Sequence, residues 1–188
     1  MKKRVDLPEK KYEGYIFDLD GTLVDSMPLH YRAWREALAR AGAPDHVFRA
    51  DEFYSCGGKS ANDVVRFLNE RYGMHMDAES TAADKRRIYL EMLEKEGMQP
   101  IREVVEFVHS LGDAPKAIAT GSAMPGASRT LAAAGLSGLF DVILTPDEVE
   151  HGKPAPDMFL KAAELLGASP DLSLIHISEP TRPYDISY

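Results

Sequence analysis

The first half of the chain shows one short apolar run followed by a long region of helical spacing. Residues 15–17, Tyr-Ile-Phe, end in Asp18-Leu19-Asp20-Gly21-Thr22, a pattern typical of a buried parallel strand that meets a loop. Apolar residues then recur at three- and four-residue spacing and predict helices over residues 28–42, 60–72 and 81–96. No strand pattern interrupts this region, so we expect an all-helical insertion.

Strand and helix patterns alternate in the second half of the chain. The predicted elements are, in chain order, a helix over 104–111, a strand over Lys116–Ala119, a helix over 127–134, a strand over Val142–Leu144 and a helix over 156–166. This alternation predicts the α/β class with a doubly wound parallel sheet. We therefore predict a core formed by residues 1–26 and 97–171, interrupted after its first strand by an all-helical cap domain over residues 27–96.

Composition and charge narrow the class of partner. The 188 residues are 44% hydrophobic and 28% charged, which is typical of a globular protein with a substantial core. A net charge of −8, with no Lys/Arg block longer than three residues, argues against nucleic acid. No apolar stretch is long enough for a membrane span, and the one cysteine, Cys56, fits a reducing compartment. We expect a cytoplasmic monomer that binds a small molecule.

Asp18 and Asp20 lie directly after the first strand, where open α/β sheets bind ligands. Their i, i+2 spacing lets both side chains face the same side of a site. Two close carboxylates repel each other, which indicates a cation beside them or a proton on one of them. One carboxylate can then attack phosphorus while the other protonates the leaving oxygen and later activates water. The pattern favours Mg²⁺-dependent phosphoryl transfer, and the alternative is an acidic turn at a strand end.

Four segments together resemble a known superfamily. Residues 17–26, Phe-Asp-Leu-Asp-Gly-Thr-Leu-Val-Asp-Ser, resemble the first motif of the haloacid dehalogenase superfamily, in the subfamily with a helical cap after the first strand. Residues 117–122, Ala-Ile-Ala-Thr-Gly-Ser, are similar to the second motif, and residues 152–159, Gly-Lys-Pro-Ala-Pro-Asp-Met-Phe, to the third. Residues 28–34 are similar to the opening of the cap. The resemblance covers residues 12–171 and implies a Rossmann-like core with an aspartyl-phosphate intermediate.

The resemblance implies a role for each matched residue. Asp18 is then the nucleophile, Asp20 the general acid and base, and Lys153 the cation that neutralises the nucleophile and the phosphate. The other implied site residues are the phosphate-binding Thr120, Gly121 and Ser122, the Mg²⁺ ligands Asp18 (side chain) and Asp20 (backbone carbonyl), and the cap residues His30, Gly58, Lys59, Ser60 and Lys85.

Each of these residues also has a structural alternative. Thr120 and Ser122 can cap the helix that follows them, and a single lysine such as Lys153 is most often a solvated surface residue. His30 and Trp34, one turn apart, can simply pack within their helix. Gly58, Lys59 and Ser60 can be solvated helix ends, and Lys85 can belong to a solvated basic face.

The residue at position 20 discriminates among the reactions of the superfamily. Asp20 supplies the proton that an alkoxide leaving group requires, whereas dehalogenases carry a different residue there. Two reactions remain, which differ in whether water or a bound sugar accepts the phosphoryl group: a sugar-phosphate phosphatase and a phosphomutase such as β-phosphoglucomutase. Ala61 stands where the mutase has an arginine, and residues 23–38 and 139–160 resemble fructose-1-phosphate and 6-phosphogluconate phosphatases more closely. We therefore predict a phosphatase; the alternative of another class is a non-catalytic scaffold that binds phosphorylated ligands.

The end of the chain departs from the superfamily pattern. That pattern has, after position 171, an apolar strand ending in paired acidic residues that complete the Mg²⁺ shell, whereas residues 172–180 read Leu-Ser-Leu-Ile-His-Ile-Ser-Glu-Pro. Residues 172–182 resemble a translated sequencing-library adapter, and the alternative is a divergent C-terminus. We predict a C-terminally truncated core with a non-native tail over 172–188, a strand within 172–177, and weak metal binding with little or no activity for the chain as written.

Overall fold

The computed structural model describes residues 12–169 and the strand Ser173–His176. The part of the predicted core at residues 1–11 and 170–171, and the part of the predicted tail at 172 and 177–188, lie outside the described residues. The elements, in chain order, are β1 (Gly14–Phe17), α1 (Met27–Arg40), α2 (Ala50–Ser55), α3 (Ala61–Tyr72), α4 (Ala78–Glu96), α5 (Arg102–Ser110), β2 (Lys116–Ala119), α6 (Met124–Ala133), β3 (Val142–Leu144), α7 (Asp157–Leu165) and β4 (Ser173–His176).

The strands form one parallel sheet in the order β3-β2-β1-β4. Tyr15 of β1 lies opposite Lys116 of β2, and Phe17 of β1 lies opposite His176 of β4. The α/β class and the parallel sheet are therefore confirmed. Because β1 and β2 run in register, the residues after Phe17 and the residues after Ala119 meet at the same edge of the sheet.

Alternate residues of the strands bury two different faces of the sheet. Phe17 and Ile118 belong to a core that includes Val108 of α5 and Leu131 of α6. Ile16, Ala117 and Ala119 face the other way and pack with Met158 and Ala162 of α7. Burial on both faces explains why these strands are continuous apolar runs, since a strand covered on both sides has no solvent-facing positions.

The helices α1 to α4 form the cap between β1 and β2, and they have a hydrophobic core of their own. Trp34 and Leu38 of α1 pack with Phe48, Phe53 and Leu68 in this second core. The helix α4 packs against α1 and α3 and also against the core helix α6. Packing on both domains places α4 where its side chains can reach the end of the parallel sheet. The domain boundaries proposed at residues 26/27 and 96/97 stay a prediction.

Helix starts and one short helix differ from the sequence expectations. The helix α4 begins at Ala78 instead of residue 81, because the Asp77 side chain accepts a hydrogen bond from the Ser80 backbone N–H at 2.7 Å and caps the helix. Pro156 is the N-cap of α7 instead of lying in its first turn. The helix α2 was not predicted, since six residues are too few to show helical periodicity. Within the described part of the chain, no helix is both long enough and apolar enough to cross a bilayer.

Candidate active site

Asp18 lies directly after β1 and is paired with Lys153. Lys153 Nζ is 3.0 Å from Asp18 Oδ1, and the same nitrogen donates to the Ala119 carbonyl at the end of β2 at 2.9 Å. The backbone N–H of Leu19 also donates to Asp18 Oδ1, at 2.9 Å. Both charged side chains are nearly buried, so the solvated surface position considered for Lys153 is wrong. The loop before α7 thus delivers an ammonium group to the end of β1.

Burial dominates the protonation of Asp18. It raises the pKa of the Asp18 carboxyl group, because a charged group loses hydration inside the protein. The Lys153 ammonium opposes that rise, while the negative charge of Asp20 adds to it. Lys153 therefore favours the ionised form of Asp18, the form that an attacking carboxylate requires.

Asp20 accepts hydrogen bonds from both domains. Ser26 Oγ donates to Asp20 Oδ1 at 2.6 Å, and Ser122 Oγ donates to Asp20 Oδ2 at 2.7 Å. His30 Nε2 is 2.9 Å from Asp20 Oδ1, and Thr120 Oγ1 is 3.4 Å from Asp20 Oδ2. Burial raises the pKa of Asp20, but His30 and the hydroxyl donors outweigh it and hold the pKa well below its usual range. Asp20 is therefore a carboxylate in this conformation.

His30 links Asp20 to Lys85 of α4. Lys85 Nζ is 2.7 Å from His30 Nδ1. An ammonium group can only donate, so Nδ1 is the acceptor and the proton on Nε2 is donated to Asp20. Burial lowers the pKa of His30, and the charge of Lys85 lowers it further, which favours this neutral ring. The two cap helices α1 and α4 are thus connected through His30 to the carboxylate at the end of β1.

Aromatic rings surround the Lys85 and His30 pair. The His30 ring stacks on Tyr89 with 4.0 Å between ring centroids and an interplanar angle of 6°. Lys85 Nζ lies 5.5 Å from the centroid of the Trp34 ring and 5.3 Å from that of Tyr89. Burial lowers the pKa of Lys85 to about 8, although the charge of Asp20 opposes that shift. His30 and Trp34 therefore do more than pack against each other in their helix.

The loop after β2 supplies hydroxyl groups to the site. Ser122 donates its hydroxyl to Asp20, and the Ser122 backbone N–H donates to Thr120 Oγ1 at 3.1 Å. Neither side chain caps α6, whose N-cap is Ala123 without a side-chain hydrogen bond. The capping alternative for Thr120 and Ser122 is therefore wrong.

A cavity of about 360 Å³ lies between the cap and the end of the sheet. The predicted site residues on its lining are Asp18, Asp20, His30, Gly58, Lys59, Ser60, Lys85, Gly121 and Ser122. The Ser60 hydroxyl lies 2.6 Å from Asp63 Oδ2, and its oxygen accepts from the Asp63 backbone N–H at 3.2 Å. In this conformation Ser60 is the N-cap of α3, as its structural alternative predicted.

Some residues of the site were not predicted from the sequence. Ser26 belongs to the first motif but had no assigned role, and its hydroxyl donates to Asp20. Tyr89 lies four residues after Lys85 on α4, so helical spacing alone places it beside that lysine. Arg86 also lines the cavity, and nothing in its sequence context distinguishes it from the adjacent Arg87. Phe53 and Tyr54 of α2 line the cavity as well, and α2 itself was not predicted.

The chemistry of the ligands at the end of β1 fits a hard cation. Mg²⁺ prefers oxygen ligands and is held by one or two carboxylates, with the substrate phosphate and water completing its shell. Among residues 12–169 and 173–176, no group of three or more His, Cys, Asp or Glu side chains is arranged to hold a metal ion. The Asp18 carboxylate and the Asp20 backbone carbonyl remain the predicted protein ligands at this edge of the sheet.

Residues 12–174 match the family model for haloacid dehalogenase-like hydrolases. The match covers most of the chain, and this protein therefore belongs to the haloacid dehalogenase-like hydrolase family. The predicted family and the predicted class of enzyme, a phosphoric monoester hydrolase of this family, are confirmed.

Curated relatives include both reaction types that the sequence left open. Over 162 residues the chain is 33% identical to the fructose-1-phosphate phosphatase YqaB of Escherichia coli, covering 86% of this chain and 84% of the relative. It is 31% identical over 195 aligned positions to a β-phosphoglucomutase of Mycobacterium bovis, covering 90% and 74%. A hydrolase of Pseudomonas syringae has the same fold, with a TM-score of 0.75, 32% identity, and coverage of 86% of this chain and 74% of that structure.

Proposed function

We propose that this protein is a phosphatase that hydrolyses a phosphorylated sugar or polyol through an aspartyl-phosphate on Asp18. The observation that carries the proposal is the contact of 3.0 Å between Asp18 Oδ1 and Lys153 Nζ at the end of β1. An ammonium group at this distance stabilises the anionic nucleophile and also the extra negative charge that a phosphate group brings. The similarity to a fructose-1-phosphate phosphatase supports a sugar phosphate as the substrate class.

In the first step, Asp18 attacks phosphorus and the bond from phosphorus to the sugar oxygen breaks. The leaving oxygen takes a proton from Asp20. Asp20 is ionised in the present conformation, because His30, Ser26 and Ser122 all bind its carboxylate. We infer that substrate binding weakens the hydrogen bond between Asp20 and His30, and that Asp20 then takes a proton from solvent, which it donates to the leaving oxygen.

In the second step, water attacks the phosphorus atom of the aspartyl-phosphate and releases Asp18. Asp20 takes the proton of that water, a role that requires the carboxylate form in which its hydrogen-bond donors hold it. The hydroxyl of Ser122 and the backbone around Gly121 line the same space, and we propose that they bind phosphate oxygens. The cycle frees the Asp18 carboxylate and leaves Asp20 protonated, and Asp20 returns to its ionised state when it loses that proton to solvent.

Mg²⁺ is the proposed cofactor, held by the Asp18 carboxylate and the Asp20 backbone carbonyl. When bound, it offsets the repulsion between the carboxylate nucleophile and the phosphate group. The oxygen ligands at the end of β1 suit this ion for the reason given above.

The test is phosphate release from a panel of sugar and polyol phosphates, with and without Mg²⁺. Because residues 172–180 lack the acidic pair of the superfamily pattern, we expect slow turnover, which Asp18→Asn abolishes and EDTA removes. Asp25→Asn is the matched control, since Asp25 is an exposed carboxylate of the same motif outside the cavity lining, and it should retain activity. Phosphate release that survives Asp18→Asn contradicts the proposal.

The phosphomutase alternative is separated in the same assay. Conversion of glucose 1-phosphate into glucose 6-phosphate that is faster than phosphate release supports the mutase, as the relative from Mycobacterium bovis favours. The scaffold alternative predicts that a phosphate mimic such as beryllium fluoride binds equally well to the wild-type protein and to Asp18→Asn. Binding that requires both Asp18 and Mg²⁺ favours the enzyme.

A further inference from the structure

The ionisable groups around the cavity are divided by domain. Among the described residues that line it, the carboxylates Asp18, Asp20 and Asp147 belong to the core, whereas the cap contributes the cations Lys59, Lys85 and Arg86. The whole chain has a net charge of −8, so the cap wall formed by Lys59, Lys85 and Arg86 is opposite in sign to the net charge of the protein. A local cluster of cations in an acidic protein creates a field that attracts anions to one place.

One cation of the cap wall is already used at the reacting end of the cavity. Lys85 Nζ donates to His30 Nδ1 at 2.7 Å and is connected through that ring to Asp20. Lys153, from the core, is likewise paired with Asp18. These two ammonium groups balance the negative charges of Asp18 and Asp20. Arg86 and Lys59 are then the cations of the cavity lining that have no carboxylate partner among the described residues.

Arg86 has no hydrogen bond, ion pair or ring contact with any residue that the structure describes. The next residue, Arg87, differs in each respect: it pairs with Asp84 at 2.8 Å and with Glu91 at 2.7 Å on the same helix. Arg87 therefore takes the neighbouring carboxylates of α4, whereas the exposed residue Arg86 lines the same cavity as Asp18. A guanidinium without a carboxylate partner at the wall of a ligand cavity is placed to bind an anionic group of the ligand.

Lys59 is the second cation of the cap wall without a carboxylate partner. Its Nζ lies 5.3 Å from the centroid of the Phe67 ring, and it pairs with no carboxylate in the described part of the chain. It lies in the loop before α3, whereas Arg86 lies on α4, so the two cations approach the cavity from different elements of the cap. A ligand group held by both would be bound from two directions.

We propose that the substrate carries a second anionic group at the end remote from the phosphate that is cleaved, and that Arg86, assisted by Lys59, binds this group. The inference rests on the proposed phosphatase function and narrows its substrate class. The second group is a carboxylate, as in a phosphorylated sugar acid, or another phosphate, as in a sugar bisphosphate. Arg86 is then a residue that determines specificity and takes no part in the chemical step.

The experiment compares substrates that share a carbon skeleton and differ only in the remote group. One set is hexitol 6-phosphate against aldonic acid 6-phosphate, and the other is ketohexose 1-phosphate against ketohexose 1,6-bisphosphate. The values of kcat/KM are measured for wild type, Arg86→Met, Arg86→Lys and Arg87→Met. The same ligand sets are titrated calorimetrically into Asp18→Asn and Asp18→Asn/Arg86→Met, which gives binding ratios that do not depend on turnover.

We expect wild type to prefer the substrates with the anionic remote group, and Arg86→Met to lower that preference about tenfold or more, as for the loss of a charge-assisted hydrogen bond. Arg86→Lys should retain part of the preference, Arg87→Met should retain all of it, and added salt should weaken it. A larger effect of Arg86→Met in the hexitol and aldonic acid set identifies the remote group as a carboxylate. A larger effect in the ketohexose set identifies it as a phosphate.

Equal kcat/KM for both members of each set, with turnover that still requires Asp18, overturns this inference and leaves the phosphatase proposal standing. Equal effects of Arg86→Met and Arg87→Met overturn it as well. Preferential binding of the anionic-ended ligands through Arg86, without any turnover that depends on Asp18, supports the Arg86 site and contradicts the phosphatase.

Discussion

The carbonyl oxygen of Gly58 lies 2.6 Å from the point where a Cβ atom on Gly121 would stand, and the carbonyl carbon of Gly58 lies 3.1 Å from it. Gly58 belongs to the cap loop before α3, and Gly121 belongs to the core loop after β2. The backbones of the two domains therefore meet at a distance that a side chain at Gly121 would prevent. Both glycines line the cavity, so this contact between the domains forms part of its wall.

Gly121→Ala should hold the cap away from the core. A Cβ atom cannot approach a backbone oxygen to 2.6 Å, and backbone atoms cannot move aside as a flexible side chain can. We expect kcat/KM for phosphate release to fall by about tenfold to a hundredfold, since misplacing catalytic groups by about 1 Å has effects of that size. The measurement is steady-state kinetics on the best substrate of the panel.

Gly152→Ala is the control for that change. Gly152 is exposed, has no positive φ, and a Cβ there would meet nothing within 4 Å. We expect its kcat/KM to stay within about twofold of wild type. A Gly121→Ala variant with wild-type kinetics and unaltered folding would show that closure of this contact is not needed for turnover.

Lys153→Met should move the acid limb of the pH–rate profile to higher pH. Burial raises the pKa of Asp18, and Lys153 counteracts the rise, so removing the ammonium leaves the pKa higher still. In the proposed mechanism Asp18 must be ionised to attack phosphorus, and the variant therefore needs a higher pH to reach its maximal rate. We also expect a loss of about 10²-fold to 10³-fold in kcat, because an electrostatic stabiliser of the phosphate is removed.

The pH dependence of kcat/KM between pH 5 and pH 8 checks the Lys153 prediction. Lys161→Met is a matched control: Lys161 Nζ contacts the Glu148 carbonyl oxygen, away from Asp18, and the profile should keep its wild-type position. An acid limb at the same pH in wild type and Lys153→Met would mean that Lys153 does not tune Asp18.

The strands could be predicted from the sequence because burial on both faces gives them a distinctive pattern. The bounds of β2 and β3 agree with the apolar runs from which they were predicted. The order β3-β2-β1-β4 could not be predicted from those runs, since strand order depends on pairing between distant segments. The early start of α4 was missed because the prediction followed the apolar stripe and gave no weight to Asp77 as a cap.

The candidate site, like the fold, could be predicted only in part from the sequence. Asp18, Asp20 and Lys153 could be named because each lies in a motif at the end of a strand or in the loop that follows one. The connection from Asp20 through His30 to Lys85 spans residues far apart in the chain, and only the packing of α1 against α4 creates it. Arg86 could not be distinguished from Arg87 in the sequence, because only the folded structure shows that Arg86 lines the cavity and that Arg87 pairs with Asp84 and Glu91.

Tyr89→Phe should destabilise the contact between cap and core. Tyr89 Oη lies 2.8 Å from Thr130 Oγ1, and both residues are buried, so this hydrogen bond joins α4 of the cap to α6 of the core. The variant leaves the Thr130 hydroxyl without that partner, which costs about 1–3 kcal/mol in the free energy of unfolding. Replacing both partners, as in Tyr89→Phe/Thr130→Val, should cost less than the single change does.

Urea denaturation of the single and double variants measures this effect, with Tyr31→Phe as the control. Tyr31 packs against Phe53 in the cap and makes no hydrogen bond within the described residues. Its variant should change the free energy of unfolding by less than about 0.5 kcal/mol. A double variant less stable than Tyr89→Phe alone would refute the assignment of the loss to an unsatisfied hydroxyl.

Lys85→Met should remove a pH dependence of stability that is specific to the buried lysine. Burial lowers the pKa of Lys85 from 10.5 to about 8. Between those two values the unfolded chain holds the proton and the folded protein does not, so the free energy of unfolding of wild type rises with pH across this window. The rise from this group is on the order of 3 kcal/mol, and Lys85→Met lacks it.

Wild type should therefore gain stability relative to Lys85→Met when the pH increases from 7.5 to 10, as measured by urea denaturation at each pH. Lys95→Met, an exposed lysine of the same helix, is the control and should follow wild type. Parallel pH profiles for wild type and Lys85→Met would show that the folded protein holds the Lys85 proton as strongly as the unfolded chain does.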